Sequence, residues 1–239
     1  MAAEILIPDK AVKYVLFQRT SCLFIPATRP FRVLNRLSKR RFYNTAVAME
    51  ALFRRKKVKH LLNEDMQSEY EDIRPSLPDR ARNILDIGCG VGAIDVLLYR
   101  HFRGRDDVQI YLLDKSRVES RVSYGFHREE IFYGSLDVTR SVLTENGIPT
   151  ENIHLREATE DHRIDVPGEL DLVLSLASWG FHYPVSVYLD RVYSLLRPGG
   201  RAIVDIRRGS GGERELRQKF LEVRLISEAE KKIKYLAVK

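Results

Sequence analysis

The sequence predicts an α/β fold, a mostly parallel sheet flanked by helices, with a basic helical extension ahead of it. Three observations lead there. From residue 83 onward, short apolar runs alternate with segments of helical period, the pattern of strands joined by crossover helices. The stretch from Leu172 to Leu176 is apolar almost throughout, as a strand buried on both faces must be. A glycine cluster, Gly88-Cys89-Gly90-Val91-Gly92, separates the first strand from its helix.

Each element follows from its own residues. Asn83–Ile87 is the first strand, ended by the glycines. The helix after it carries Ile94, Leu97, Leu98, His101 and Phe102 on one face. Val108–Leu113 is the second strand and meets Asp114. Leu136–Asn146 has helical period and stops at Gly147. Asn152–Arg156 and Leu172–Leu176 are the third and fourth strands. Val185, Tyr188, Leu189, Val192 and Leu196 mark a helix that Pro198-Gly199-Gly200 terminates, and Ala202–Ile206 is the fifth strand. Leu221–Ile226 and Ile233–Val238 flank a charged turn and read as an antiparallel hairpin at the sheet edge. The connection from Ser116 to Gly134 is long and holds Tyr124, Phe126, Phe132 and Tyr133, so it is expected to shape a pocket at the ligand edge.

Residues 1–82 lack this alternation and divide from 83–239 at Pro75 and Pro78. They carry 17 Lys and Arg against 9 Asp and Glu, whereas residues 83–239 carry 23 against 24. The net charge of +7 therefore belongs to the N-terminal third, where Arg29 to Lys59 holds eleven basic residues. Phe42 to Leu62 reads as one or two helices, expected to pack beside the carboxyl edge of the sheet as a cover. A chain of 239 residues that is 44% hydrophobic and 31% charged is globular, which excludes collagen-like, disordered and low-complexity classes. Two cysteines, Cys22 and Cys89, make no disulfide framework or zinc spacing, so no metal is expected and the reducing cytoplasm is the expected compartment. Glu4 and Asp9 precede any apolar stretch, unlike a secretory leader. The longest uncharged run, 172–189, is interrupted by Ser175, Ser178, Gly180, His182 and Pro184, so no transmembrane span is expected.

Glycines at 88, 90 and 92 let a ligand approach the backbone where a helix begins. Gly88-x-Gly90-x-x-Ala93 also satisfies a relaxed dinucleotide fingerprint, so the turn alone leaves the cofactor open. Three further features bear on it. Asp86 puts a carboxylate at the strand end, where a pyrophosphate would be repelled. Asp114 closes the second strand, where an acid accepts hydrogen bonds from ribose hydroxyls. Leu195-Leu196-Arg197-Pro198-Gly199-Gly200 immediately precedes a strand.

With Leu85-Asp86-Ile87-Gly88-Cys89-Gly90-Val91-Gly92, Asp114, and Leu170-Asp171-Leu172-Val173-Leu174-Ser175, these pieces resemble the class I S-adenosylmethionine-dependent methyltransferase family. They fall in order over 83–206, about half of the chain, and none identifies a substrate. The resemblance implies a Rossmann-like seven-stranded sheet with its last hairpin antiparallel. It implies S-adenosylmethionine as cofactor, with contacts from Asp86, Gly88, Cys89, Gly90, Gly92, Asp114, Lys115 and Ser175. The amino-acid end would lie over Asp86, Gly88 and Gly90, and the ribose at Asp114. Adenine would lie around Glu157 to Thr159, where the match is poor and the contacts stay open.

The loop Ser178-Trp179-Gly180-Phe181-His182-Tyr183-Pro184 follows the fourth strand, where this fold presents its acceptor side. His182 is the candidate base for a hydroxyl acceptor, with Tyr183 beside it. Trp179, His127 in the long loop and Arg207 after the fifth strand are candidates for the substrate side; Arg207 and Arg208 suit an acidic or phosphorylated acceptor. No Asn-Pro-Pro-Tyr signature is present, which favours a small-molecule oxygen acceptor such as a sugar. The alternatives are an RNA or protein methyltransferase that uses the basic segment, and a non-catalytic scaffold that binds the cofactor. Nucleic acid is the less favoured partner because the basic segment has few aromatics and no RNA-binding motif.

Overall fold

The computed structural model of the chain describes residues 4–19, 22–24, 43–104, 107–116 and 134–239. His127, the aromatics of the long connection and the basic residues from Arg29 to Arg41 lie outside them.

Seven strands form one sheet: β1 (Asn83–Ile87), β2 (Gln109–Asp114), β3 (Ile153–Glu157), β4 (Leu170–Ser175), β5 (Leu196–Arg207), β6 (Glu222–Glu228) and β7 (Lys232–Val238). Their order is β3-β2-β1-β4-β5-β7-β6. β1 to β5 pair in parallel, and β7 runs antiparallel to both β5 and β6. The order reverses beside β1, which leaves a crevice at the carboxyl ends of β1 and β4, the place where such sheets bind ligands.

Among the described residues seven helices cover the sheet: α1 (Asp9–Gln18), α2 (Tyr43–Phe53), α3 (Arg55–Ile73), α4 (Ala93–Phe102), α5 (Leu136–Glu145), α6 (Leu189–Leu195) and α7 (Gly212–Lys219). Side-chain alternation along the strands makes two cores. Ile84, Ile110, Leu112, Leu172 and Leu174 face one way and pack with Val12, Leu16, Val58, Leu62, Met66, Leu98 and Val142 from the helices. Leu85, Leu113 and Val173 face the other way and pack with Trp179, Tyr183, Tyr188, Val192 and Leu216. The N-terminal helices thus share a core with the sheet. Asn63 and Asn146 also clamp the extended chain before α1. Asn63 Oδ1 accepts from Ile5 N at 2.7 Å, and Asn146 Oδ1 accepts from Leu6 N at 2.9 Å.

Three elements differ from the sequence reading. β5 begins at Leu196, right after α6, and runs through Pro198-Gly199-Gly200. Those glycines form an irregularity inside the strand, where Leu170 pairs Leu196 but Leu172 pairs Arg201, and Gly199 N and Gly200 O bond the last residue, Lys239. The helix expected from Val185 is a 3-10 turn (Val185–Val187) followed by the short α6. Two helices, α1 and α7, were not expected. α1 has Pro8 at its N-cap, Asp9 in its first turn and Ala11, Val12, Val15 and Leu16 buried. α7 is held by acids in its first turn, Arg217 and Lys219 in its last, and the single buried apolar side chain Leu216.

Candidate active site

β1 delivers Asp86 and the glycine turn to the crevice. Gly88 N donates to Leu113 O at 2.7 Å and extends the β1–β2 pairing by one residue. Gly88 and Gly90 then adopt φ of 77° and 57°, values that side chains rarely tolerate. Space requires glycine there too. A Cβ on Gly88 would meet Ser178 Oγ at 1.9 Å, and one on Gly90 would meet Gln18 Oε1 at 2.6 Å. Gly92 has a different reason: its Cβ would strike Leu143 and Thr139 of α5, so this glycine serves helix packing.

Asp114 fastens the turn. Its Oδ2 accepts from Gly90 N at 2.7 Å and its Oδ1 from Lys115 N at 2.7 Å, while the Cys89 thiol lies 4.0 Å from Oδ2. From the opposite side Thr139 Oγ1 donates to Gly90 O at 2.6 Å. Burial, with the nearby Asp114, Asp86 and Asp95 carboxyls, pushes the Cys89 thiol well up, so it stays protonated.

Asp86 is 3% exposed and Asp95, in the first turn of α4, is fully buried. Among the described residues no other group reaches Asp86 Oδ1 or either Asp95 oxygen, and the two carboxyls lie against each other. Burial first, and then Asp95, pushes the Asp86 carboxyl well above the usual range, opposed by Arg19. Burial lifts Asp95 to about 7. Two ionised carboxylates cannot satisfy each other; a proton held on one makes the pair a donor and an acceptor.

Asp86, the glycine turn and Asp114 line one cavity of about 280 Å³. Asp86, Gly88, Cys89, Gly90 and Asp114 form its floor, and Ala177, Ser178 and His182 from the loop after β4 form a wall. Gln18 and Arg19 at the end of α1, with Leu62 and Met66 of α3, form its roof. Of the sequence candidates, the structure therefore brings together Asp86, Gly88, Cys89, Gly90, Asp114 and His182. The sequence reading put the loop from Ser178 and the segment ending at Leu62 on this side, but did not name Gln18, Arg19, Met66 or Ala177. Nothing in the sequence of α1 says over which strand end the helix stops.

The remaining candidates lie elsewhere. Ser175 is buried, donating to Ile87 O at 2.8 Å and accepting from Trp179 N at 2.9 Å, so it ties β4 to β1 and to its own loop. Trp179 is a core residue, not a pocket wall: it is fully buried and its Nε1 donates to Val185 O at 2.7 Å. Tyr183 is fully buried as well, with its hydroxyl 3.3 Å from Ser178 Oγ, one residue behind the wall. Arg207 lays its guanidinium over the Phe181 ring at 4.5 Å and donates from Nε to Phe181 O at 2.8 Å, facing a different cavity. Gly92 and Lys115 are not among the lining residues. Glu157 and Thr159 border a separate groove with His162 and Asp190.

The loop that presents His182 is firmly built. Phe181 N and His182 N both donate to Ser178 O, at 3.0 and 2.8 Å. Ala177, at a φ of 56°, donates its N–H to Asp205 Oδ2 at 3.0 Å. Half-buried, His182 packs edge-on against Phe181.

Comparison with known proteins adds three findings. A family model described as a methyltransferase domain matches residues 58–238, most of the chain. No curated protein matches the sequence. Among solved structures, a protein from Nostoc punctiforme provisionally described as an O-methyltransferase superposes with a TM-score of 0.52 at 15% identity, over 74% of this chain and 56% of that one. The chain thus spans little more than half the length of that protein. A precorrin-6y C5,15-methyltransferase from Geobacter metallireducens gives 0.51 at 14% identity, over 74% and 88%. TrmN from Thermus thermophilus gives 0.50 at 18% identity, over 73% and 47%. At such identities the likeness is one of fold. Among the described residues no helix is long and apolar enough to cross a membrane.

Proposed function

The chain belongs to the methyltransferase-domain family and uses S-adenosylmethionine; from that premise we propose that it methylates a hydroxyl group of a small-molecule acceptor. The observation that carries this reading is His182 on the wall of the cavity floored by Asp86 and the glycine turn.

The residues fit the cofactor. The orphaned Asp86 Oδ1 suits the ammonium of an amino acid, and Gly88 and Gly90 leave space where any side chain would intrude. Asp114 stands at the end of β2, beside the glycine turn it holds through Gly90 N, where a carboxylate can accept from a ribose hydroxyl. When bound, S-adenosylmethionine supplies a methyl group already activated on a sulfonium sulfur. What is left for the chain is to orient the acceptor, exclude water and take one proton. Orientation alone supplies several kcal/mol (about 7–11 at best). The His182 imidazole takes the hydroxyl proton, and the turn anchored on Ser178 O fixes its backbone. The apolar side chains of Leu62 and Met66 keep water from the roof.

The roof that α1 and α3 place over the cavity, with Gln18, Arg19, Leu62 and Met66, suits a small acceptor better than a macromolecule. One observation favours RNA or protein as a second reading: Arg55, Lys56 and Lys57 stand exposed at the start of α3. Methyl-labelled S-adenosylmethionine offered with a panel of hydroxylated small molecules, and separately with RNA, tests the two. The expected outcome is label in small molecules. On the best acceptor, His182→Ala is expected to lower kcat by about 10²–10⁴ with cofactor affinity unchanged. Label in RNA alone would replace this reading with the second, and full activity of His182→Ala would remove the base.

A further inference from the structure

The family match begins at residue 58, yet α1, forty residues earlier, ends over the glycine turn. Gln18 and Arg19 both line the cavity there. Among the described residues Arg19 is the only lysine or arginine that lines it, against two carboxylates, Asp86 and Asp114. An amino-acid zwitterion brings one cation and one anion. Asp86 answers the cation; with two carboxylates in the floor, the anion needs a positive group beside it or it is repelled.

We propose that α1 completes the cofactor site from outside the family domain, with the Arg19 guanidinium binding the carboxylate of S-adenosylmethionine. This rests on the cofactor assignment above. Three observations support it. Arg19 is held in place: one nitrogen pairs with Asp65 of α3, and Nη2 lies 3.8 Å from Met66 Sδ, itself a roof residue. That uses two of the five N–H donors that a guanidinium offers in a fixed fork, and a carboxylate matches such a fork. Arg19 and Asp86 line the same cavity, and Arg19 favours the ionised form of Asp86, so the two groups that would take opposite ends of one amino acid face one space. Finally, burial of Val12, Val15 and Leu16 fixes where α1 stops.

The test is calorimetric titration of the full chain with S-adenosylmethionine and with its decarboxylated analogue, which keeps the ammonium and sulfonium but lacks the carboxylate. The wild type is expected to bind S-adenosylmethionine about 10- to 100-fold more tightly than the analogue, the ratio for a charge-assisted hydrogen-bonded pair. Arg19→Gln is expected to lose that preference by binding S-adenosylmethionine 10- to 100-fold more weakly and the analogue no more weakly, since removing a cation favours the more positive ligand. Asp65→Asn, which keeps the arginine, is expected to retain the preference. Equal weakening of both ligands by Arg19→Gln would mean that Arg19 only supports the roof, and the proposal would fall. A wild type without preference overturns it with no variant needed. A wild type that binds neither ligand overturns the cofactor assignment itself.

Discussion

Asp86 and Asp95 bury two carboxyls where a second negative charge has nothing to meet it. In the folded chain Asp95 keeps its proton up to about pH 7, against an ordinary value of 3.8. The sign follows. Between about pH 4 and pH 7 the unfolded chain releases this proton and the folded chain does not, so stability falls as pH rises through that window. Asp95→Asn copies the neutral form. It is expected to raise Tm by several degrees at pH 8 and hardly at pH 4.5 in thermal melts; an equal effect at both pH values would show that the carboxyl is ionised or paired. Legibility differs among residues for a physical reason. Asp86, Gly88, Gly90 and Asp114 were readable because two adjacent parallel strands must deliver them to one edge. Ser175 was placed at the site as the end of β4, and Trp179 and Tyr183 as members of the loop after it, but Ser175 is buried in tying β4 to β1 and the loop folds back and buries the other two. The same loop leaves His182 on the cavity wall.

Between elements, charge fastens α3 to the sheet. Glu69 of α3 lies between two lysines of β7: it accepts from Lys232 Nζ at 2.7 Å and pairs with Lys234, which is 2% exposed. Lys232 also meets Asp205 Oδ2 at 2.7 Å, the oxygen that holds Ala177 N in the cavity wall. Burial pushes Glu69 up, but Lys232 and Lys234 outweigh it and bring the carboxyl to about 2. Its stabilising effect is therefore present above its ordinary value of 4.5 and lost as pH falls toward 2. Glu69→Gln is expected to cost about 3–5 kcal/mol in urea denaturation at pH 7, the range for orphaning a buried charge, with the deficit shrinking below pH 4.5. A loss under 1 kcal/mol would mean that Asp72, 3.6 Å from Lys234, suffices. The link from α3 to β7 could not be read from sequence, since Glu69 is more than 160 residues from Lys232 and Lys234. Strands were the easier elements: β1 was placed to the residue, and β2, β3 and the last hairpin to within about two. α7 escaped because one buried leucine among charges makes no apolar stripe.

At the scale of the molecule, the sheet order puts the crevice beside β1, and the N-terminal helices lie across the face that Asp86 points to. The sequence shows that residues 1–82 are basic and reads helices over Phe42 to Leu62; only packing shows that apolar sides of α1 and α3 enter the same core as the sheet and roof the cavity. The function that follows depends on one event, binding of S-adenosylmethionine beneath that roof. Calorimetric titration of wild type and Gly90→Val with S-adenosylhomocysteine, and of wild type with NAD, tests it most directly. A valine at 90 must hold a φ of 57° and presses on Gln18. The expected result is one-to-one binding of S-adenosylhomocysteine to wild type, no heat with NAD, and no binding to a folded Gly90→Val. Absence of binding to wild type, or undiminished binding to Gly90→Val, would contradict the site described.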